Sequence, residues 1–145
     1  MTNDIVQANV NRDLRGEVAA LGHGISSVYS SIEATDFESR LKTASAVSDS
    51  KPLREHLGEV IELANVVIQV IPMENEDTKE LEDVTRVILI DKDGNSFHAI
   101  SSVIFKDVQN LIGILGKPSS WPEPVSVAAK EDGKGRRRFM TLTLV

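Results

Sequence analysis

A cationic run near the C-terminus is the part of the sequence best suited to contact a nucleic acid. Residues 130–138, KEDGKGRRR, hold five basic and two acidic side chains and therefore carry a local charge of +3. Arginine guanidinium groups neutralise phosphates and also stack on bases. The same side chains could equally be solvated charges at a hairpin tip that bind nothing. The candidate nucleic-acid-binding residues of this run are Lys130, Lys134, Arg136, Arg137 and Arg138.

The residue types that carry enzyme chemistry are absent or scattered. His23, His56 and His98 are far apart and have no metal-like spacing with Asp or Glu. The sequence has no nucleophile elbow or dinucleotide fingerprint, and Gly133-Lys134-Gly135 does not precede a helix as a phosphate loop would. There is no cysteine, which excludes disulfides and thiolate nucleophiles. We therefore expect a protein that is not an enzyme, with no cofactor, no metal and no small-molecule substrate.

Length and hydropathy predict one cytoplasmic domain. A chain of 145 residues fits a single domain of ordinary size. The first residues have no basic stretch followed by an apolar run, so they do not resemble a signal peptide. No segment approaches the ~20 apolar residues that cross a bilayer. We expect a soluble protein of the cytoplasm with no membrane partner.

The charge of the chain is unevenly distributed. The net charge of −6 opposes binding to phosphates, yet the residues outside 130–138 sum to −9. Six acidic side chains fall within residues 74–83, between two apolar runs. Two functions follow as alternatives. The basic run could bind a nucleic acid, or an acidic face around residues 74–83 could bind another protein.

Residues 1–101 predict a polar arm, one helix and four strands. Residues 1–24 are polar and read as a flexible arm, which leaves residues 25–145 as a single domain. A strand over 28–34 and a short helix over 37–47, capped by Thr35 or Asp36, come next. The remaining predicted elements are a long strand over 60–73 with a bend near Ala64–Asn65, an acidic loop over 74–83, and strands over 84–91 and 95–101 joined by an Asp-Gly turn.

Residues 102–145 predict one helix followed by two strands. Apolar residues recur at three- and four-residue steps over 102–115, which indicates an amphipathic helix that Gly116 and Pro118 end. Strands over 125–130 and 137–145 flank a second Asp-Gly turn. A helix between the third and fourth main strands is typical of the OB fold. The sequence thus favours a mainly β, five-stranded antiparallel OB-type barrel over an α+β fold with an open sheet.

Three aromatic residues and their neighbours are further candidates for base contact. Phe97 and His98 are adjacent on a strand, so one of them must face outward, although a strand Phe is more often a core residue. Trp121 lies between helix and strand, where it could plug the open end of the barrel. The remaining predicted DNA-binding residues are Phe97, His98, Arg86, Phe139 and Trp121.

Two stretches of the sequence resemble a known family. VTRVILIDKDGNSFHAISSVIFKDVQNLIGILG (84–116) and VSVAAKEDGKGRRRFMTLTL (125–144) resemble the small single-stranded DNA-binding proteins of bacteriophages and related conjugative plasmids. GEVIELANVVIQV (58–70) is similar to that family's opening barrel strand. The resemblance implies an OB barrel that coats single-stranded DNA without sequence preference, during replication or transfer in a bacterial host cell. It also implies a stacking aromatic at Phe97 and a basic groove at Lys134 to Arg138.

Three properties stay open at this stage. The arm could pack on a neighbouring copy along coated DNA, which would make the protein self-associate. Binding of double-stranded DNA is a weaker alternative to single-stranded DNA. The acidic protein-interaction module is the main alternative to both.

Overall fold

The computed structural model describes residues 13–21, 28–33 and 36–145, and this part of the chain is mainly β. The helices are α1 (Leu14–Leu21), α2 (Phe37–Ser48) and α3 (Ser102–Leu115). The strands are β1 (Val28–Ser30), β2 (Lys51–Pro52), β3 (Ile61–Glu74), β4 (Leu81–Asp91), β5 (Ser96–Ile100), β6 (Val125–Asp132) and β7 (Phe139–Leu144). Three 3-10 turns lie at Leu53–His56, Pro118–Ser120 and Gly135–Arg137.

The strands form one curled sheet in the order β2-β5-β4-β3-β6-β7, with β1 also paired to β3. All pairs are antiparallel except β2 with β5. The register of β3 shifts between Leu63 and Asn65, which confirms the predicted bend. Because of this bend, one edge of β3 pairs with β6 before the shift and with β1 after it. Within the described residues no ladder joins β7 to β5, so the sheet is a half-barrel.

Helix α3 packs against the concave side of the sheet. Its periodic apolar residues Ile104, Phe105 and Val108 are fully buried or nearly so among Val87, Leu89 and the other core residues. Ser101 caps its start by accepting a hydrogen bond from the amide of Ile104 (3.1 Å). The carboxylate of Asp107 accepts the amide of Leu142 on β7 (2.9 Å), which fixes the helix to the last strand.

Helix α2 lies on the opposite, outer face of the sheet. Asp36 is its N-cap and accepts a hydrogen bond from the amide of Ser39 (2.7 Å). None of its residues is buried, although Ala46 and Val47 pack over a small apolar cluster of Val67, Ile88 and Ile90. Its last carbonyls are held by side chains of the sheet, because Ser96 donates its hydroxyl to the Ala46 carbonyl (2.6 Å).

The predicted N-terminal arm contains a packed helix. Leu14, Val18 and Leu21 recur at helical spacing on α1, and Val18 is completely buried in the core. An apolar face of this kind is enough to dock a short helix on a sheet. Residues 1–12 and 22–24 of the predicted arm lie outside the described residues, and the boundary of the 25–145 domain stays a prediction.

The predicted acidic loop is shorter than residues 74–83. Strand β3 runs to Glu74 and β4 begins at Leu81, so only residues 75–80 form the loop. The two strands stay paired up to Glu74 opposite Leu81, and residues 72–83 form a protruding acidic ribbon. Arg15 of α1 binds Asp83 at its base (Nε to Oδ2, 3.0 Å). The acidic charge is therefore carried by a paired hairpin with a defined conformation.

Candidate nucleic-acid interface

The basic run forms the hairpin between β6 and β7, as the turn signal predicts. Asp132 pairs with Phe139, and the turn between them contains the 3-10 turn Gly135–Arg137. Gly133 has φ +88, and a Cβ at this position would collide with the carbonyl of Arg137. The chain can close this tightly only with glycine here. We call residues 130–139 the basic hairpin, and every one of them is exposed.

One face of the basic hairpin holds one cation, Lys130, and one aromatic ring, Phe139, with Asp132 directly opposite the ring. Residues directly opposite on antiparallel strands share a face, so Lys130 with Thr141 and Asp132 with Phe139 point the same way. The Phe139 side chain is 41% exposed. A positive charge can bind a phosphate, and an exposed ring beside it can stack on the attached base. The ladder thus brings together two of the predicted DNA-binding residues, Lys130 and Phe139.

The opposite face of the hairpin is tied to the 3-10 turn Leu53–His56. Glu131 lies near both Arg138 (Nε to Oε1, 4.0 Å) and Arg54 (Nη1 to Oε1, 3.7 Å). Leu53 is completely buried and anchors the turn. Arg54 is exposed and adds a further cation beside the hairpin. Sequence analysis did not select Arg54; the signal available was three basic residues between positions 51 and 56.

Phe97, on β5, packs against His56 of the same 3-10 turn. Its ring contacts the His56 ring edge-on, with centroids 5.0 Å apart, and it packs against the core. In the ladder it stands opposite Leu89, a core residue, and is only partly exposed. His98 is therefore the outward member of the pair, as strand alternation requires. A stacking role for Phe97 stays a prediction, and it would involve only the exposed part of the ring.

His98 and Arg86 meet on the outer face of the sheet. Nδ1 of His98 lies 2.9 Å from the hydroxyl of Ser50, and Nη2 of Arg86 donates to the same hydroxyl (3.1 Å). Arg86 also donates to the side-chain oxygen of Gln69 (3.1 Å) and to the carbonyl of Val47 (3.5 Å). Both predicted DNA-binding residues thus hold the C-terminal end of α2 on the sheet. Direct contact of either with DNA stays a prediction.

Trp121 lies between the 3-10 turn Pro118–Ser120 and the start of β6, and the basic hairpin lies at the other end of that strand. Its indole N–H donates to the carbonyl of Gly116 (3.0 Å), and the ring is half-buried against the core. This position fits the interpretation that Trp121 closes the open end of the barrel. DNA contact by this residue stays a prediction that the geometry does not favour.

Comparison with known proteins gives one match that spans most of the chain. The family model described as Phage Single-stranded DNA-binding protein, of the Phi29 phage type, matches residues 24–145. The chain belongs to this family. No curated protein and no solved structure matches it. The resemblance read from residues 58–145 is confirmed, and the match also includes the preceding stretch with α2.

Members of a family of single-stranded DNA-binding proteins need exposed rings if they stack bases. All six aromatic residues of this chain lie within the described residues. Tyr29 and Phe105 are buried, and burial raises the pKa of the Tyr29 hydroxyl above its ordinary value of 10.0. Phe97 and Trp121 are partly buried, whereas Phe139 and Phe37 are exposed. The basic hairpin thus holds one of the two freely exposed rings.

The described residues form neither a metal-binding group nor a helix that could span a membrane. In residues 13–21, 28–33 and 36–145, no group of three or more His, Asp or Glu side chains could hold a metal ion. None of the helices in the same part of the chain is long and apolar enough to cross a membrane.

Proposed function

We propose that this protein binds single-stranded DNA without sequence preference and coats it during phage DNA replication. The observation that carries the proposal is the basic hairpin, in which five exposed cations lie within residues 130–138, directly before the exposed ring of Phe139. Flexible arginine and lysine side chains neutralise phosphates whatever the sequence, and a phenyl ring stacks on any base. Membership of a phage single-stranded DNA-binding protein family supports the same conclusion.

The strand order supports an OB barrel as the frame for this site. Strands β3 to β7 would be its five strands, because β3 pairs with β4 and β6, β4 with β5, and β6 with β7. Helix α3 follows the third of these strands and precedes the fourth, as in OB folds. The basic hairpin is then the loop between the last two strands, one of the loops through which OB proteins bind oligonucleotides.

The place of action follows from the family rather than from the geometry. A protein that coats replicating phage DNA works in the cytoplasm of the bacterial host. The matched family is a phage family, so we favour phage replication over plasmid transfer.

The test is direct binding of a labelled thymidine 30-mer, followed by fluorescence anisotropy at low and moderate salt. Anisotropy of a label on the DNA is preferable to protein fluorescence, because Trp121 is half-buried and Tyr29 is buried. We expect tight binding at low salt that weakens steeply as salt rises, equal competition by mixed-sequence single strands, and weaker competition by duplex. Failure to bind the 30-mer at low salt would refute the proposal.

Two charge-neutralising variants separate DNA binding from the protein-interaction alternative. Replacing Arg136, Arg137 and Arg138 with Gln removes three positive charges from the basic hairpin, and replacing Glu76, Glu80 and Glu82 with Gln removes three negative charges from the acidic ribbon. DNA binding predicts a strong loss of affinity in the first variant and none in the second. The protein-interaction alternative predicts that, in a phage-replication assay, the first variant still functions and the second does not.

A further inference from the structure

We propose a second base-binding subsite, formed by Phe37 on α2 and the cavity between α2 and the sheet. It would hold one or two nucleotides of the strand whose phosphates the basic hairpin holds, so the inference rests on the proposed function. It extends the interface to an element that sequence analysis treated only as a short helix.

Phe37 is the more exposed of the two free aromatic rings. It is the first residue of α2, and 72% of its side chain is exposed. Leu41, one turn later on the same face, is 51% exposed. Both apolar side chains are therefore exposed to water, and a ligand that buries them would gain the free energy of removing this apolar surface from water. A nucleic-acid base can bury these side chains, because every base has a flat face that stacks on an aromatic ring.

A cavity of about 680 Å³ begins beside Leu41, between α2 and the ends of β4 and β5. Ala46 and Ile90 give it an apolar wall, and the amide side chains of Asn65 and Asn95 line it as well. Cavities of this size hold drug-sized molecules, so a base with its sugar fits. Side-chain amides can hydrogen-bond the edges of bases that are free in a single strand.

The charges around this cavity suit a base inside and phosphates at its rim. Its lining includes Lys42, Lys51 and Lys92, which three acidic side chains balance. Lys92 is already paired with Glu62, which leaves Lys42 and Lys51 as the better candidates for phosphate contact. A cavity without net charge favours a neutral base over a phosphate. The two exposed lysines can meet the backbone on either side of that base.

A row of cations connects the cavity to the basic hairpin. Lys51 lines the cavity and pairs with Phe97 of β5. Arg54 follows three residues later and lies beside Glu131, which also contacts Arg138. A single strand that leaves the hairpin can therefore pass Arg54 and Lys51 before its bases reach α2. Phe37 would stand near one end of this path, and the arginines of the basic hairpin would stand at the other.

The first experiment compares Phe37→Ala with Ile114→Ala. Ile114 is a comparably exposed apolar residue (82%) on α3 and does not line the cavity, so it controls for loss of surface hydrophobicity. Loss of one base stack predicts about tenfold weaker binding of the 30-mer by Phe37→Ala. The control should bind like the unmodified protein. A tetranucleotide that fills only the hairpin site should bind both variants equally.

The second experiment fills the cavity instead of removing the ring. Ser45→Trp places a large side chain in the lining, whereas Ala44→Trp places it on an exposed neighbour outside the lining. We expect about tenfold weaker binding of the 30-mer for the first variant only. Photocrosslinking of a 5-iodouracil 30-mer, mapped by mass spectrometry, should recover peptides from both α2 and the basic hairpin.

The outcomes separate this inference from the proposed function. If the unmodified protein binds the 30-mer but neither Phe37→Ala nor Ser45→Trp weakens binding, the subsite is refuted and the DNA-binding proposal stands. Crosslinks confined to the basic hairpin would have the same meaning. If the unmodified protein does not bind the 30-mer, both proposals fail together.

Discussion

The salt dependence of DNA binding should reveal which arginines of the basic hairpin contact phosphates. In the described residues Arg136 and Arg137 have no ion pair, whereas Arg138 shares Glu131 with Arg54. A cation that neutralises one phosphate of a single strand adds about 0.7 to the slope of log affinity against log salt. The double variant Arg136→Gln/Arg137→Gln should therefore lower that slope by about 1.4. Arg138→Gln should lower it by less than about 0.7, because Glu131 already offsets part of its charge.

The change in slope corresponds to a measurable change in affinity. From 50 to 200 mM salt, each phosphate contact costs about 2.6-fold in affinity at this slope. The affinity of the double variant should therefore fall about sevenfold less over this range than that of the unmodified protein. Anisotropy titrations of the thymidine 30-mer at five salt concentrations measure both slopes.

A matched control removes the same charge elsewhere. Lys79→Gln/Lys106→Gln takes one cation from the acidic ribbon and one from α3, and both side chains are exposed. Its slope should equal that of the unmodified protein. If the control lowers the slope as much as Arg136→Gln/Arg137→Gln does, the arginines act through overall charge and the contact model is wrong. An unchanged slope in the arginine variant would exclude the basic hairpin as the phosphate-binding surface.

Three further predictions test the frame of the site. Phe105→Ala empties a fully buried position and should lower the free energy of unfolding by about 3–5 kcal/mol in urea denaturation; a loss below about 1 kcal/mol would contradict its place in the core. Gly133→Ala should weaken DNA binding more than Gly58→Ala, because both glycines have positive φ but only the first would collide with a neighbouring carbonyl; equal effects in anisotropy would show that the turn conformation is unimportant. Hydrogen bonds from the hydroxyl and the amide of Ser39 hold the pKa of the Asp36 carboxyl below its ordinary 3.8. The carboxylate therefore stabilises the start of α2 above pH 3.8, and this stabilisation is lost as the pH falls through the lower pKa of the folded protein. An NMR titration of Asp36 with a midpoint at or above 3.8 would contradict this.

Those parts of the fold that depend on local pattern could be predicted from the sequence. The apolar period of residues 102–115 predicted α3 with its observed bounds, and the two Asp-Gly turns predicted both hairpins. The acidic ribbon was not predicted as strand, because its charged residues have low strand propensity. It is held by continuation of the β3–β4 ladder, which is a cross-strand pairing rather than a strand preference of the individual residues.

Only those parts of the site that consist of contiguous residues could be predicted from the sequence. The basic hairpin is a contiguous run of residues, and its position between two strands could be read directly. Arg54 joins it only because the 3-10 turn packs beside β6, which no local pattern indicates. The spacing of Phe37 and Leu41 indicates an amphipathic helix, but a pattern cannot tell whether the protein itself covers that face. In the structure it does not.

The acidic ribbon and the basic hairpin give the molecule an electric dipole. Residues 74–83 carry six acidic side chains and one lysine, and residues 130–138 carry a charge of +3. The two hairpins leave β3 from opposite ends, because β6 runs antiparallel to the start of β3 while the ribbon continues its far end. Near a polyanion this dipole turns the basic hairpin toward the strand and the ribbon away from it. A protein with a net charge of −6 can thus approach DNA in one preferred orientation, and each bound copy would present its acidic end to the solvent.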